Sequence, residues 1–263
     1  MLSEVKEPTY RTGFDRNLWI WEKYSSESSY LLAADVARGD ALDFSVFHVI
    51  KIDTMEAVAE YRGKPNLEQF AQIIDNTGRE YGNCMAVVEN NSLGISILEK
   101  LQDREYPNLY YSIKGSHEYI EPLLAESASN SIPGFTTSSK TKPLIVAKME
   151  EFVRNKLITI YSSRTIEEFK TFIWNNNRAE AMRSYHDDLV MALAIGCWVR
   201  DTALTVNKKD LEYSKALIDA MKTSKSTMET TISGMEGHRI KPISQEALEA
   251  REQQKEFLWL LKG

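Results

Sequence analysis

Apolar residues follow two different patterns along this chain, and the change between them predicts the fold class. Three apolar runs, Tyr30 to Val36, Phe44 to Ile52 and Ala57 to Tyr61, are separated by turn residues at Arg38-Gly39-Asp40 and Asp53-Thr54. Short runs of this kind between turn residues predict strands. Their close succession predicts a three-stranded antiparallel meander.

Beyond residue 65 the pattern alternates between helices and strands. Asn66 is predicted to cap a helix with apolar residues at helical spacing, and Asn91 or Ser92 is predicted to cap a second helix. Between them, Met85 to Glu89 predicts a strand buried on both faces. Further predicted elements are a strand over Leu109 to Ser112, a helix over Lys142 to Asn155, a strand over Leu157 to Tyr161, a helix capped by Thr165 and a helix from Asp187 to about Arg200. A meander followed by alternating strands and helices predicts an α/β fold, with a mixed sheet flanked by helices.

The two ends of the chain differ from this core. Residues 1–28 are polar and without a sustained period, which predicts a linker or arm in which Phe14, Trp19, Ile20 and Trp21 dock on another surface. Residues 29–205 hold the predicted core domain. Residues 206–263 are predicted to be a partly helical extension, whose apolar tip at residues 257–261 packs on its own domain or on a partner.

Composition narrows the class of protein. The chain has 263 residues, of which 43% are hydrophobic, enough for a globular core. A net charge of -6 argues against a wholly basic surface, yet a surplus of lysine and arginine between Ser138 and Arg183 fits either a local basic face or an ordinary solvated one. Cys84 and Cys197 lie in apolar runs, which favours buried thiols and a reducing, cytosolic setting. No apolar run reaches the ~20 residues of a membrane span, so a soluble protein is predicted.

Acids mark the ends of three apolar elements. Asp35 closes the first predicted strand, Glu89 closes the strand that follows the first helix, and Asp187-Asp188 opens the last core helix. Magnesium prefers oxygen ligands, and a pair of such ions hydrolyses phosphodiesters. On this interpretation Asp35 bridges both ions, Glu89 and Asp188 each hold one, and Asp43 adds an outer ligand.

Each acid taken alone also fits a structural role. Asp35 could cap a turn, Glu89 could pair with a lysine, and aspartates at a helix start are favoured by the helix dipole. Three acids together favour the metal site. Other chemistries lack their motifs, because the only Gly-Lys pair precedes a proline, the four histidines and two cysteines show no zinc spacing, and no dinucleotide fingerprint or serine elbow occurs.

Four stretches in order resemble the nuclease domain of the large terminase subunit of tailed bacteriophages, and within it the T-even-like branch. They are Ala34 to Gly39 with Asp43 to Ser45, Val87 to Gly94, Gly134 to Lys142, and Tyr185 to Ala192. The Glu-Asn-Asn-Ser and His-Asp-Asp-Leu-Val-Met segments are the most specific of these. The resemblance covers about residues 30 to 200.

The resemblance implies an RNase H-like fold and a magnesium- or manganese-dependent endonuclease with two ions. Such an enzyme cuts concatemeric double-stranded DNA with little sequence specificity during viral genome packaging. It further implies that Asp35, Glu89 and Asp188 are the catalytic metal ligands and Asp43 an auxiliary acid. Asp187 is kept in reserve, because neighbouring residues of a helix point about 100° apart and only one of the two aspartates is expected to face the metals.

The resemblance also implies DNA contacts and partners. Lys140 and Lys142 match a loop near the active site and would contact backbone phosphates, although a plain polar loop is the alternative. The family's full-length subunit carries an N-terminal ATPase domain, to which residues 1–28 would be the linker, and works with a portal protein and a small terminase subunit in the host cytoplasm. The protein would not be part of the mature virion.

Two other functions stay open at this point. The first is another RNase H-like nuclease, such as a Holliday-junction resolvase or a transposase, which would share the acids and differ in DNA substrate. The second is an inactive docking module of a packaging motor. The intact set of acids argues against the second.

Overall fold

The computed structural model describes residues 5–13, 15–37, 43–114, 119–120, 125, 130–175 and 178–201. The predicted Arg38-Gly39-Asp40 turn, Phe14 and the predicted extension from residue 206 onward lie outside the described residues.

Twelve strands are described within these ranges, together with five helices. The strands are β1 (Tyr10–Thr12), β2 (Leu18–Ile20), β3 (Tyr30–Asp35), β4 (Ser45–Lys51), β5 (Glu56–Gly63), β6 (Met85–Val88), β7 (Tyr111–Ile113), β8 (Tyr119–Ile120), β9 (Ser131–Pro133), β10 (Thr159–Ile160), β11 (Phe172–Asn175) and β12 (Arg178–Ala181). The helices are α1 (Leu67–Glu80), α2 (Gly94–Asp103), α3 (Thr141–Arg154), α4 (Ser163–Thr171) and α5, described over residues 188–201.

A seven-stranded mixed sheet lies at the centre of the fold. Its strand order is β1-β2-β5-β4-β3-β6, and β10 also pairs with β5. Strands β3, β4 and β5 form the predicted antiparallel meander, whereas β6 runs parallel to β3 and β10 parallel to β5. Two smaller sheets, β8-β7-β9 and the hairpin β11-β12, stand apart from it. The predicted mixed sheet is therefore confirmed.

Alternation along β3 divides the core between the two faces of the sheet. Leu32 and Ala34 pack into a cluster with residues of α1 and α2, whereas Leu31 and Ala33 pack with residues of α3, α4 and α5. Successive strand residues point to opposite faces. Asp35, two residues after Ala33, therefore lies on the face that α5 covers.

Part of the predicted N-terminal arm belongs to the sheet. Strand β2 pairs antiparallel with β5, with Leu18 opposite Tyr61, and Leu18 and Ile20 are buried in the core. The Trp21 indole N–H donates to the Lys6 carbonyl oxygen at 2.8 Å. Strands of three residues are too short to show a period in the sequence, which is why the pattern indicated an arm. A role of residues 1–28 in linking two domains stays a prediction.

Helix starts were predicted with mixed success. Asn66 caps α1 as predicted, and its side chain and that of Gln69 form a reciprocal capping box. The cap of α4 is Ser162, whose hydroxyl accepts the Thr165 N–H at 3.3 Å, so the predicted cap at Thr165 is wrong. The Thr165 hydroxyl instead donates to buried Glu60. Ser162 and Thr165 both carry a hydroxyl that could cap α4. Glu60, which engages the Thr165 hydroxyl, lies on β5 and is distant in sequence, so the local sequence does not show which of the two residues is the cap.

The predicted burial of both cysteine thiols is confirmed. Cys84 and Cys197 are both free thiols and both buried. Across the described helices, none is long and apolar enough to cross a bilayer.

Candidate metal centre

Asp35 and Glu89 lie at the carboxyl ends of two adjacent parallel strands. Ala34 pairs with Val88 in the register of β3 and β6, and the Glu89 N–H donates to the Ala34 carbonyl oxygen at 2.9 Å. The residues that follow this pair, Asp35 and Glu89, are both acids. Strand order and register alone thus bring together two acids that are 54 residues apart in the chain.

Helix α5 brings the third predicted ligand to the same region. Asp188 is the first residue of α5, and its Oδ2 accepts the backbone N–H of Phe44 at 3.1 Å. Nδ1 of His186 lies 3.7 Å from this Oδ2 and 3.8 Å from Oδ1 of Asp43. One ligand atom from each of Asp43, His186 and Asp188 lies within 4.8 Å of the others.

Crowding of the acids alters their protonation. Burial raises the pKa of Asp35 well above its ordinary value, and the charges of Glu89, Asp188 and Asp187 raise it further. Burial also raises the pKa of Asp188 to about 6, against the opposing hydrogen bond from Phe44. The charges of Glu89 after β6 and of Asp187 and Asp188 at the start of α5 all raise the pKa of Asp35, so acids from three elements interact electrostatically.

The two adjacent aspartates have different neighbours. Asp188 lies beside Asp43 and His186, whereas Oδ2 of Asp187 lies 3.6 Å from Nζ of Lys142. Lys142 is therefore placed at this site by the first turn of α3. Lys140 is exposed just before α3, and its backbone N–H donates to the Ser138 hydroxyl at 3.3 Å.

Asn91 orients Glu89, a role that the sequence did not reveal. Its Nδ2 donates to Glu89 Oε2 at 2.9 Å and to the Val36 carbonyl oxygen at 3.0 Å. Its Oδ1 accepts the N–H groups of Leu93 and Gly94. Leu93 occupies the cap position of α2, so the predicted cap at Asn91 or Ser92 is wrong. A Cβ at Gly94 would lie 1.7 Å from the Glu89 carbonyl oxygen, so only glycine fits there.

Glu168 holds the start of α5 from a neighbouring helix. This buried residue of α4 accepts the N–H groups of Leu189 and Val190 at 2.8 and 3.3 Å. Burial raises the pKa of Glu168 to about 8, a rise that Arg62 opposes and Asp188 reinforces. No local pattern identifies Glu168, because the helix that it caps is not its own.

His186 was also missed as a candidate ligand. In the sequence it was noted only as part of the matched segment Tyr185 to Ala192. Burial lowers the pKa of His186, and the positive charge of Arg62 lowers it further. A neutral imidazole keeps a lone pair that can bind a metal ion.

The residues fit a hard divalent cation. Asp35, Glu89, Asp43 and Asp188 offer carboxylate oxygens, the ligand type that magnesium and manganese prefer. These acids are half-buried. Burial raises the pKa of Asp35, and the charges of Glu89 and Asp188 raise it further, which records repulsion among these three acids. A bound cation would relieve that repulsion.

Two solved structures that match this fold are large terminase nuclease domains. The large terminase nuclease of thermophilic phage G20c, solved with bound magnesium, matches over 74% of this chain and 92% of its own, with a TM-score of 0.57 and 18% identity. The large terminase nuclease domain of Thermus phage P74-26 matches over 73% and 88%, with a TM-score of 0.55 and 19% identity. The G20c nuclease has also been solved with bound cobalt. No protein-family model matches the sequence. The predicted RNase H-like fold class is confirmed.

Proposed function

We propose that this chain is a metal-dependent endodeoxyribonuclease that cleaves concatemeric double-stranded DNA, with little sequence specificity, during viral genome packaging. The observation that carries the proposal is the convergence of acids from β3, β6 and α5 at one end of a sheet whose fold is shared with large terminase nucleases. A two-ion phosphodiesterase needs such an arrangement.

In this proposal Asp35, Glu89 and Asp188 hold two Mg²⁺ or Mn²⁺ ions, and Asp43 is an auxiliary acid. When bound, the ions supply the activated water and stabilise the leaving oxygen. Asn91 keeps the Glu89 carboxylate in place by its hydrogen bond of 2.9 Å. Glu168 fixes the first turn of α5, and with it the position of Asp188.

The proposed partners follow from the same resemblance. Duplex DNA is the substrate, and Lys140 and Lys142 contact its phosphates, which is consistent with the place of Lys142 beside Asp187. Phosphate contacts carry no sequence information, as a packaging enzyme requires. The terminase ATPase domain, the portal protein and the small terminase subunit are proposed partners in a motor that works in the host cytoplasm.

Plasmid cleavage tests the proposal directly. Supercoiled plasmid is incubated with the protein in magnesium, in manganese and in chelator, alongside Asp35→Asn, Glu89→Gln and the control Asp103→Asn, an exposed acid at the end of α2. We expect metal-dependent, sequence-independent cutting by the wild type and Asp103→Asn, and a loss of at least ~100-fold in the other two, as when catalytic electrostatic groups are removed.

Other outcomes would redirect the assignment. Cutting of a four-way junction, but not of plasmid, would identify a resolvase. Cleavage that persists in chelator, or in Asp35→Asn and Glu89→Gln, would refute the two-ion site. Failure of the wild type to cut either DNA with either metal would refute the nuclease proposal and favour a docking module.

A further inference from the structure

Arg62 lies on the same side of the sheet as the acids. In the register of the meander, Asp35 is opposite Val46 on β4, and Val46 is opposite Arg62 on β5. Residues directly opposite one another point to the same face. Arg62 is therefore two strands from Asp35, a distance of about 10 Å at the usual strand spacing.

The guanidinium of Arg62 has no hydrogen-bond acceptor among the described residues. Its side chain is only 20% exposed, its Nε is buried, and its nearest acid oxygen, Oε1 of Glu168, is 3.7 Å away. That distance is beyond a hydrogen bond. Guanidinium groups carry five N–H donors, and buried donors normally find acceptors. An acceptor from outside the described chain is therefore indicated.

A shared aromatic ring links Arg62 to the acids. The guanidinium carbon of Arg62 lies 4.1 Å from the centre of the Phe44 ring, and Nζ of Lys64 lies 4.6 Å from the same centre. The backbone N–H of Phe44 donates to Asp188, and the His186 ring meets the Phe44 ring edge-on at 5.1 Å. Phe44 thus holds two cations beside the residues that would bind metal.

A counter-ion role alone explains this arrangement poorly. Arg62 is close enough to lower the pKa of Asp188 and of Glu168. Yet it donates a hydrogen bond to neither, and Oε1 of Glu168 is also without a donor within the described chain. A guanidinium that served only to neutralise an acid would be expected to form the short, charge-assisted bond that such pairs favour.

We propose that Arg62 binds a backbone phosphate of the DNA strand close to the phosphate being cleaved, with Lys64 as a second cation. This inference rests on the proposed nuclease function. Arginine suits the task because two of its N–H groups match two phosphate oxygens, whereas lysine acts as a point charge. Arg62 lies on β5, and Lys64 is the residue after β5. These two cations would therefore bind phosphate from a different element than Lys142, which approaches the acids from α3.

Duplex binding and cleavage kinetics test the inference together. The variants are Arg62→Gln, Arg62→Lys and Lys64→Ala, with Arg154→Gln as control, because Arg154 is exposed at the end of α3 and paired with Glu150. Binding of a labelled duplex is measured in calcium across a salt series, and KM and kcat are measured on plasmid in magnesium. Thermal melting checks that each variant is folded.

We expect Arg62→Gln to raise both Kd and KM by about tenfold or more, and to reduce the salt slope by about 0.9 for each phosphate that is no longer bound. Arg62→Lys should keep most of the slope while losing affinity, and Lys64→Ala should have a smaller effect of the same kind. The control should match the wild type. If Arg62→Gln is unfolded at the assay temperature, the folded Arg62→Lys variant tests the inference instead, and a raised Kd for duplex would support it.

Unchanged Kd and salt slope in Arg62→Gln would overturn the inference. So would a fall in kcat alone, because Arg62 would then act through the acids. Wild-type protein that fails to bind duplex at low salt would overturn it as well. Weaker duplex binding by Arg62→Gln, in a wild type that cuts no plasmid, would uphold the phosphate contact while refuting the nuclease function, so the two failures are distinguishable.

Discussion

Asp35 and Glu89 lie at the ends of two adjacent parallel strands, where the Glu89 N–H donates to the carbonyl oxygen of Ala34, the residue before Asp35, at 2.9 Å. Burial raises the pKa of Asp35, and the nearby charge of Glu89 raises it further. A divalent cation would compete with a proton for the carboxylate oxygens of Asp35. Metal binding and protonation at this site should therefore be coupled.

The first prediction concerns metal and stability. Magnesium should raise the melting temperature of the wild type, and a ligand at 100 times its Kd contributes about 2.7 kcal/mol to the free energy of unfolding. Asp35→Asn should melt higher than the wild type without metal, because repulsion is relieved, and should lose most of the magnesium shift. Asp103→Asn should behave as the wild type. A full magnesium shift in Asp35→Asn would exclude Asp35 as a ligand.

The second prediction concerns pH and Asp188. Its pKa rises from 3.8 to about 6 on folding, so the neutral carboxyl stabilises the fold fully below about pH 4, and this stability is lost as pH rises through 6. Replacement by asparagine should remove the loss. In chelator at pH 7.5, urea unfolding of Asp188→Asn should therefore give a free energy up to about 3 kcal/mol above that of the wild type. The difference should shrink toward pH 4, and a pH-independent difference would show that the charge of Asp188 is not its cause.

The third prediction concerns Asn91. Asn91→Ala removes the donor to Glu89 and the acceptor at the start of α2, so activity should fall 10- to 100-fold, as for other groups that orient metal ligands. Stability should fall by about 1 kcal/mol. Asn91→Asp keeps the acceptor but places a carboxylate beside Glu89, so it should lose activity while α2 stays stable.

Ser92→Ala is the matched control for Asn91, since Ser92 is exposed and next in sequence. Plasmid cleavage gives the activity, and urea unfolding gives the stability. Wild-type cleavage by Asn91→Asp would show that Glu89 needs no orienting amide.

The fourth prediction concerns the lysines at the start of α3. Lys140→Ala and Lys142→Ala should each weaken duplex binding, and each should flatten the salt slope by about 0.9 if the replaced lysine binds one phosphate. Lys148→Ala is the control, because Lys148 lies on the same helix but pairs with Glu151 and Asp201. A salt slope that is unchanged in both variants would show that neither lysine binds a phosphate and that both belong to an ordinary polar loop.

Local periodicity was enough to predict most elements of the core. Each strand of the meander, the cap at Asn66 and the buried strand Met85–Val88 can be predicted from residues within that element or next to it. The positions of Asp35, Glu89 and Asp188 at the ends of apolar runs were visible for the same reason, because an acid that interrupts a core segment marks the place where it reaches the surface. The sequence alone thus determined the sheet type and the acids worth testing.

Only the tertiary structure decided what surrounds those acids. Glu168 of α4 accepts hydrogen bonds from the start of α5, and Nδ1 of His186 lies 3.8 Å from Oδ1 of Asp43. Arg62 lies near the acids because of the register of β3, β4 and β5. Each of these contacts joins residues far apart in the chain, so no local pattern records it. The short strand β2 escaped the sequence pattern in the same way, because its three residues are ordered by pairing with β5 rather than by any period of their own. Hydrophobic periodicity is a local signal, whereas charge, burial and hydrogen bonding at the site depend on how distant segments meet.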